Sequence, residues 1–142
     1  MKKYAIWLKV AAIFQLITAA IHSISLFVAP VPANDTEKQL LDLMSNYAMD
    51  MGAGFHRSMT EIVTALSTCV TLVYLLGGLL NLYLVNKVPA DIFRGVIVVN
   101  VIIFGIGFGV MVAFAFLPPI VLTGLVFTFL LFSWVTVRGR EQ

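Results

Sequence analysis

Two ionisable side chains, His22 and Glu61, lie inside long apolar segments, where a charged group is costly. An imidazole and a carboxylate in such a setting can act as general acid and base, or they can bind the polar head of a ligand. His22 and Glu61 are therefore the candidate catalytic residues. The same two groups can instead join helices through hydrogen bonds and charge pairing, without any chemical role.

A polar stripe runs along the apolar segment that contains Glu61. Its members recur every three or four residues, as residues on one helical face do: Arg57, Glu61, Thr64, Thr68, Thr71, Tyr74, Gly78 and Asn81. The preceding apolar segment carries a similar stripe, formed by Gln15, Thr18, His22 and Ser25. Polar faces of membrane helices turn toward the protein interior. Within the stripe that contains Glu61, Arg57 can pair with Glu61 four residues later.

If these two helices are adjacent, His22 and Glu61 meet near one mouth of the protein, with His56 and Arg57 above them. The candidate ligand-binding residues share this position: His22, Ser25, His56, Arg57, Glu61 and Thr64.

The elements that position these residues are membrane spans. Of the 142 residues, 61% are hydrophobic and only 11% are charged, and the charges lie between long apolar runs. Four runs reach the roughly 20 residues that a span needs: about 4–29, 58–85, 93–117 and 119–137. Lipid offers no partner to backbone groups, so each run is expected to be a helix. The predicted fold is all-α, a single-domain integral membrane bundle of four transmembrane helices.

A cleaved signal peptide is the alternative for the first run, since Lys2 and Lys3 precede it and Val31-Pro32-Ala33 resembles a cleavage site. The run is longer than the roughly 7–15 residues of a signal core, and its polar stripe favours a retained helix.

The basic residues predict the orientation. Seven lie on the side of the two termini and the 86–92 loop, and two lie on the other side: Lys2, Lys3, Lys9, Lys87, Arg94, Arg138 and Arg140 against Lys38 and Arg57. By the positive-inside rule, both termini are cytoplasmic.

The longest connection, 30–57, lies on the outer side and predicts an extra helix. Asn34 and Glu37, or Thr36 and Gln39, have the spacing of a capping box, and apolar residues then recur at three and four positions. This pattern indicates an amphipathic helix over about 35–51, which Gly52 and Gly54 end. We expect it to cover the outer mouth of the bundle, or else to rest on the membrane interface.

Two further patterns concern helix packing. Gly105, Gly109 and Ala113 form a small-residue face that can pack on the fourth helix or on a second copy of the chain. Asn100 is expected to bond across helices, with Asn81 as its partner.

Several classes of function have no support in the sequence. The single cysteine, Cys69, and the two histidines provide no recognised metal-binding motif, and no cofactor-binding loop is present. Two short basic pairs are too few for nucleic-acid binding. The expected partners are the lipid bilayer, a lipid-like ligand and a second copy of the chain.

Ile21-His22-Ser23 and Phe55-His56-Arg57-Ser58, which flank the outer loop, make the chain resemble a family of small bacterial four-span proteins without an assigned function. In size and number of spans the chain also resembles DoxX-like proteins. The resemblance implies a bacterial plasma (inner) membrane and implies no catalytic residues.

The leading hypothesis is a membrane protein without enzymatic activity that binds a lipid-like molecule or a membrane partner at its outer mouth. The first alternative is a membrane-embedded enzyme that acts on a lipid or quinone-like substrate through His22 and Glu61. The second is a small oligomeric transporter or pore.

Overall fold

The computed structural model describes residues 3–138 and contains five helices and two short strands in that range. Their bounds are α1 (Lys3–Ile24), α2 (Asp35–Asn46), β1 (Ala48–Asp50), β2 (His56–Ser58), α3 (Met59–Leu84), α4 (Ala90–Phe114) and α5 (Leu117–Arg138). Lys2 and Arg140, which contribute to the predicted charge bias, lie outside the described residues. Four helices, α1, α3, α4 and α5, are long and apolar enough to cross a membrane, as predicted.

Local chemistry explains where these helices begin and end. α1 ends at Ile24 rather than near Ala29, because the following residues form tight turns, with Leu26 N–H bonded to the Ser23 carbonyl, ahead of Pro30. α5 begins at Leu117, which places Pro118 and Pro119 in its first turn. Proline is tolerated there since first-turn N–H groups have no partner within the helix.

α2 begins as predicted and ends earlier than predicted. The Asn34 side chain accepts a hydrogen bond from Glu37 N–H at 2.9 Å, and the Glu37 carboxylate accepts one from Ala33 N–H at 2.6 Å. The helix stops at Asn46 because Tyr47 takes an extended conformation. The predicted end near Met51 is therefore wrong, since the chain has already entered a strand.

The strands β1 and β2 form an antiparallel hairpin that was not predicted. Its turn contains Gly52, Ala53 and Gly54, all with positive φ, and the Asp50 carboxylate accepts a hydrogen bond from Gly52 N–H at 2.8 Å. Glycine adopts positive φ without steric cost, so the two glycines that were expected to end a helix instead build a turn.

The chain divides into two compact units. The helix unit comprises residues 3–19 and 73–138 of the described range, and the loop unit comprises residues 20–72. The loop unit contains the last turn of α1, all of α2, the hairpin and the first half of α3. The helix unit contains the rest of α1 and α3 together with α4 and α5.

In the helix unit, glycines let neighbouring helices approach closely. A Cβ at Gly105 of α4 would lie 2.8 Å from Phe127 of α5, and one at Gly124 would lie 3.0 Å from Phe108. The rings of Phe108 and Phe127 stack with centroids 5.9 Å apart. Gly105 therefore packs on α5 within the chain, which is the first of the two contacts predicted for this face.

Candidate ligand-binding site

The loop unit contains a cavity of about 550 Å³, within the range of small-molecule sites. Three segments of the chain line it: the stretch after α1, one face of α2, and one face of α3. The lining residues are Ser25, Leu26, Phe27, Val28, Ala29, Pro30, Leu41, Met44, Ser45, Thr60, Val63, Thr64 and Ser67.

The lining of the cavity follows from the local structure of each segment. Leu41 and Met44 lie one turn apart on α2, and Thr60, Thr64 and Ser67 recur at helical spacing on α3. A contact between the hydroxyls of Ser45 and Thr60, 3.2 Å apart, joins α2 to the start of α3. Leu41, Met44 and Ser45 of α2 therefore form part of the wall.

The chemistry of the lining is uniform. It consists of aliphatic and aromatic carbon together with the hydroxyls of two threonines and three serines, and it includes no ionisable side chain. Such a surface can hold an apolar chain and form hydrogen bonds, but it offers no counter-ion to a charged group.

Of the six predicted ligand-binding residues, Ser25 and Thr64 line the cavity, whereas His22, His56, Arg57 and Glu61 are not part of its lining. Ser25 Oγ also donates to the His22 carbonyl at 2.6 Å.

Glu61 caps the start of α3. Its carboxylate accepts a hydrogen bond from Ser58 N–H at 2.8 Å, and Ser58 Oγ accepts one from Glu61 N–H at 3.2 Å. This reciprocal pair is a capping box, which satisfies two backbone donors that a helix start leaves without partners. The carboxylate is thereby engaged in the structure of its own helix, and the Glu61 side chain is exposed.

The predicted pairing of Arg57 with Glu61 is wrong. Arg57 lies in β2 and so precedes α3, which removes the helical spacing on which the pairing depended. Its guanidinium instead donates to the His56 carbonyl at 3.0 Å and lies 6.0 Å from the centre of the Phe55 ring. Both His56 and Arg57 are exposed on the hairpin, where they lie opposite Asp50 and Met49.

His22 lies near the end of α1, and its Nε2 is buried without a hydrogen-bond partner in the described structure. No hydrogen bond or ion pair links the His22 side chain to Glu61 there. The predicted acid–base pair therefore lacks the direct contact through which one group could orient the other.

The helix unit contains an amide network, formed by the hydrogen-bonded side chains of Gln15, Asn81 and Asn100. Asn81 Nδ2 donates to Gln15 Oε1 at 3.0 Å and to Asn100 Oδ1 at 3.1 Å, and Asn100 Nδ2 donates to the Val96 carbonyl at 2.9 Å. The predicted contact between Asn81 and Asn100 is confirmed, and Gln15 is an additional member. Gln15 and Asn81 are fully buried, so the amide network joins α1, α3 and α4 through hydrogen bonds inside apolar surroundings.

A second buried polar contact in the helix unit joins α3 to α5. The hydroxyls of Tyr74 and Thr123 lie 2.7 Å apart, and the Tyr74 ring meets Phe104 edge-on. The C-terminal half of the polar stripe of α3, from Tyr74 to Asn81, therefore serves helix packing.

The sequence reasoning missed Thr60 and Ser67. The predicted stripe on α3 includes Arg57 and Glu61, which requires Arg57 to belong to the helix. The cavity-lining face shares only Thr64 with that stripe and extends to one side of it, through Thr60, Val63 and Ser67. The capping-box pair Ser58 and Glu61 was the signal that placed the helix start at Met59 and so excluded Arg57.

Among residues 3–138, no group of three or more His, Cys, Asp or Glu side chains is close enough to hold a metal ion. No protein-family model, curated protein or solved structure matches this chain.

Proposed function

We propose that this chain is a multi-pass protein of a bacterial plasma membrane, a four-helix transmembrane bundle with both termini in the cytoplasm, that binds a lipid-like ligand. The ligand occupies the cavity beneath α2 on the outer side. The observation that carries the proposal is the cavity itself, which is large enough for part of an alkyl chain and is lined by carbon and hydroxyls. α2 acts as its outer cover.

The membrane part of the proposal is supported by the four helices of spanning length, and the orientation by the distribution of basic residues. The outer location of the cavity follows from that orientation, because α2 and the hairpin belong to the connection whose only basic residues are Lys38 and Arg57.

The enzyme alternative, acting on a lipid or quinone-like substrate through His22 and Glu61, has less support. The Glu61 carboxylate is bonded to Ser58 N–H, and neither His22 nor Glu61 lines the cavity.

The transporter alternative would need a second copy, and on α4 only Gly109 and Ala113 of the predicted self-association face are exposed. A homo-oligomer through these two residues stays a prediction, which Gly109→Leu tests through the mass of the purified protein.

Ligand binding can be tested with a substitution that fills the cavity with a large side chain. Val63 lines the cavity, whereas Leu66, three residues later on α3, is 63% exposed and is not part of the lining. Val63→Trp should displace ligand, and Leu66→Trp is the matched control on the same helix. Native mass spectrometry of protein released from nanodiscs made with the lipids of its own cell membrane measures the fraction that retains a lipid-sized adduct. We expect wild type and Leu66→Trp to retain it and Val63→Trp to lose it. Equal retention in all three would contradict the proposal.

A further inference from the structure

Two hydroxyls on α3 stand apart from the other Ser and Thr hydroxyls of the spanning helices. In a membrane helix a hydroxyl without an external partner bonds back to a carbonyl one turn earlier, and most here do so. Thr18, Thr68, Thr71, Thr128 and Thr136 each donate to the carbonyl four residues before them. Ser23 donates to the carbonyl three residues before it.

The remaining Ser and Thr hydroxyls of these helices form hydrogen bonds with other segments of the chain, with the exception of Thr64 and Ser67. Thr60 meets Ser45, Thr123 meets Tyr74, and Ser133 donates to the Tyr4 carbonyl at 3.1 Å. In residues 3–138 the hydroxyls of Thr64 and Ser67 make no hydrogen bond, and both residues line the cavity.

The depth of the two hydroxyls is informative. α3 begins at Met59, so Thr64 and Ser67 lie about 7.5 and 12 Å along the helix from its start, at 1.5 Å per residue. Both therefore lie beyond the capping box along α3, a helix that is long and apolar enough to cross a membrane. A ligand bonded to them carries its polar group below the membrane interface.

The charge of that polar group follows from the lining. No Lys, Arg, His, Asp or Glu side chain lines the cavity. The lining side chains are exposed or half-buried, so the cavity is open to its surroundings. At the depth of an apolar span a charged group would gain no counter-ion from the lining, and a charge in hydrocarbon costs several kcal/mol. A hydroxyl or carbonyl loses much less on burial, and two serine or threonine hydroxyls can replace its hydrogen bonds to water.

We infer that the cavity selects an uncharged amphiphile, a molecule with an alkyl chain and a hydroxyl or carbonyl group, and that Thr64 and Ser67 form hydrogen bonds with that group. The inference rests on the proposed function, since it names the class of ligand for the same cavity. It excludes phospholipids and ionised fatty acids as the preferred occupants.

The experiment uses the full-length protein in phosphatidylcholine nanodiscs and a photoreactive hexadecanol that carries a mid-chain diazirine and a terminal alkyne. Labelled peptides are quantified by mass spectrometry. Competitors share the chain length and differ in the head: hexadecanol, hexadecane, hexadecanoate at pH 9 and hexadecyltrimethylammonium. We expect labelling in the peptides that contain residues 25–30, 41–45 and 60–67, with hexadecanol competing about tenfold more strongly than each of the others.

Substitutions assign the recognition to the two hydroxyls. Thr64→Val with Ser67→Ala should lower labelling of these peptides by about tenfold, which is what two hydrogen bonds of roughly 0.7 kcal/mol each contribute. Thr68→Val with Thr71→Val is the matched control, because those hydroxyls bond to carbonyls of their own helix. Thr64→Ser, which keeps a hydroxyl, should retain most of the labelling. Equal melting temperatures in detergent verify that the variants fold.

The outcomes separate the two proposals. Labelling of the cavity peptides that all four competitors suppress equally, or that survives removal of both hydroxyls, would overturn the inference and leave the proposed function standing. Absence of cavity labelling in the wild type would overturn the inference. If wild type, Val63→Trp and Leu66→Trp also retained lipid equally in the native mass spectrometry, the proposed function would be overturned as well.

Discussion

Ser58 and Glu61 exchange two hydrogen bonds at the start of α3, with the backbone N–H of each donating to the side chain of the other. A carboxylate that sequence reasoning assigns to chemistry therefore has a structural task. The exchange also marks the start of α3, which begins at Met59.

The capping box predicts how Glu61 variants behave. Glu61→Gln keeps an oxygen that can accept from Ser58 N–H, so we expect its stability to remain within about 0.5 kcal/mol of wild type. Glu61→Ala and Ser58→Ala each remove one hydrogen bond and should cost about 0.5–2 kcal/mol. Unfolding in mixed micelles measures these differences. If Glu61→Gln were as destabilising as Glu61→Ala, the carboxylate would have a role beyond the cap.

Sequence patterns were sufficient for the spanning helices, because a run of about 20 apolar residues has one low-energy backbone arrangement in lipid. The contact of Asn81 with Asn100 was also predictable, since an amide in an apolar helix needs a partner and few are present. The predicted first helix is about five residues too long, because apolar composition continues past Ile24 while the turns at Ser23–Phe27 end the helix.

The connection over residues 30–57 was harder to predict, because its structure depends on pairing between segments. Residues 48–50 continue the apolar spacing of α2, and a hairpin partner at 56–58 competes with the helix for their backbone groups. The cavity is likewise a product of three segments, so no single helical pattern reveals it. The error at Arg57 followed directly from placing it on the helix.

The amide network of Gln15, Asn81 and Asn100 predicts that substitutions in α1 and α3 have coupled effects on stability. Gln15→Met and Asn81→Leu each keep volume and remove hydrogen bonding, and a double-mutant cycle isolates the 3.0 Å bond between them. We expect a coupling energy of about 0.5–2 kcal/mol, as measured for hydrogen bonds within membrane proteins. Asn86→Leu, at an exposed position in the loop after α3, is the control and should change stability little. Strict additivity of Gln15→Met and Asn81→Leu would contradict a contribution of this bond to stability.

Glycines in the helix unit predict opposite effects of one substitution. A Cβ at Gly78 would lie 2.8 Å from the Leu16 side chain and 3.0 Å from the Ala12 carbonyl oxygen, so Gly78→Ala should force α1 from α3 and cost about 1–3 kcal/mol. A Cβ at Gly109 would meet nothing within 4 Å, so Gly109→Ala should be neutral or stabilise α4 by up to about 1 kcal/mol. Melting temperatures of the two variants in the same detergent test this contrast. A destabilising Gly109→Ala would instead indicate that a second copy packs on that face.

The orientation predicts which loops are accessible from outside the cell. Gln39 on α2 and Asn86 in the short loop after α3 are both exposed, and a single cysteine at either position can be introduced after Cys69→Ser. A membrane-impermeant maleimide should label Gln39→Cys in intact cells and should label Asn86→Cys only after the membrane is permeabilised. The wild-type thiol of Cys69, in the middle of a helix of spanning length, is expected to remain unlabelled under both conditions. Labelling of Asn86→Cys in intact cells would reverse the orientation, and it would move the cavity and α2 to the cytoplasmic side, where a ligand would come from the inner leaflet.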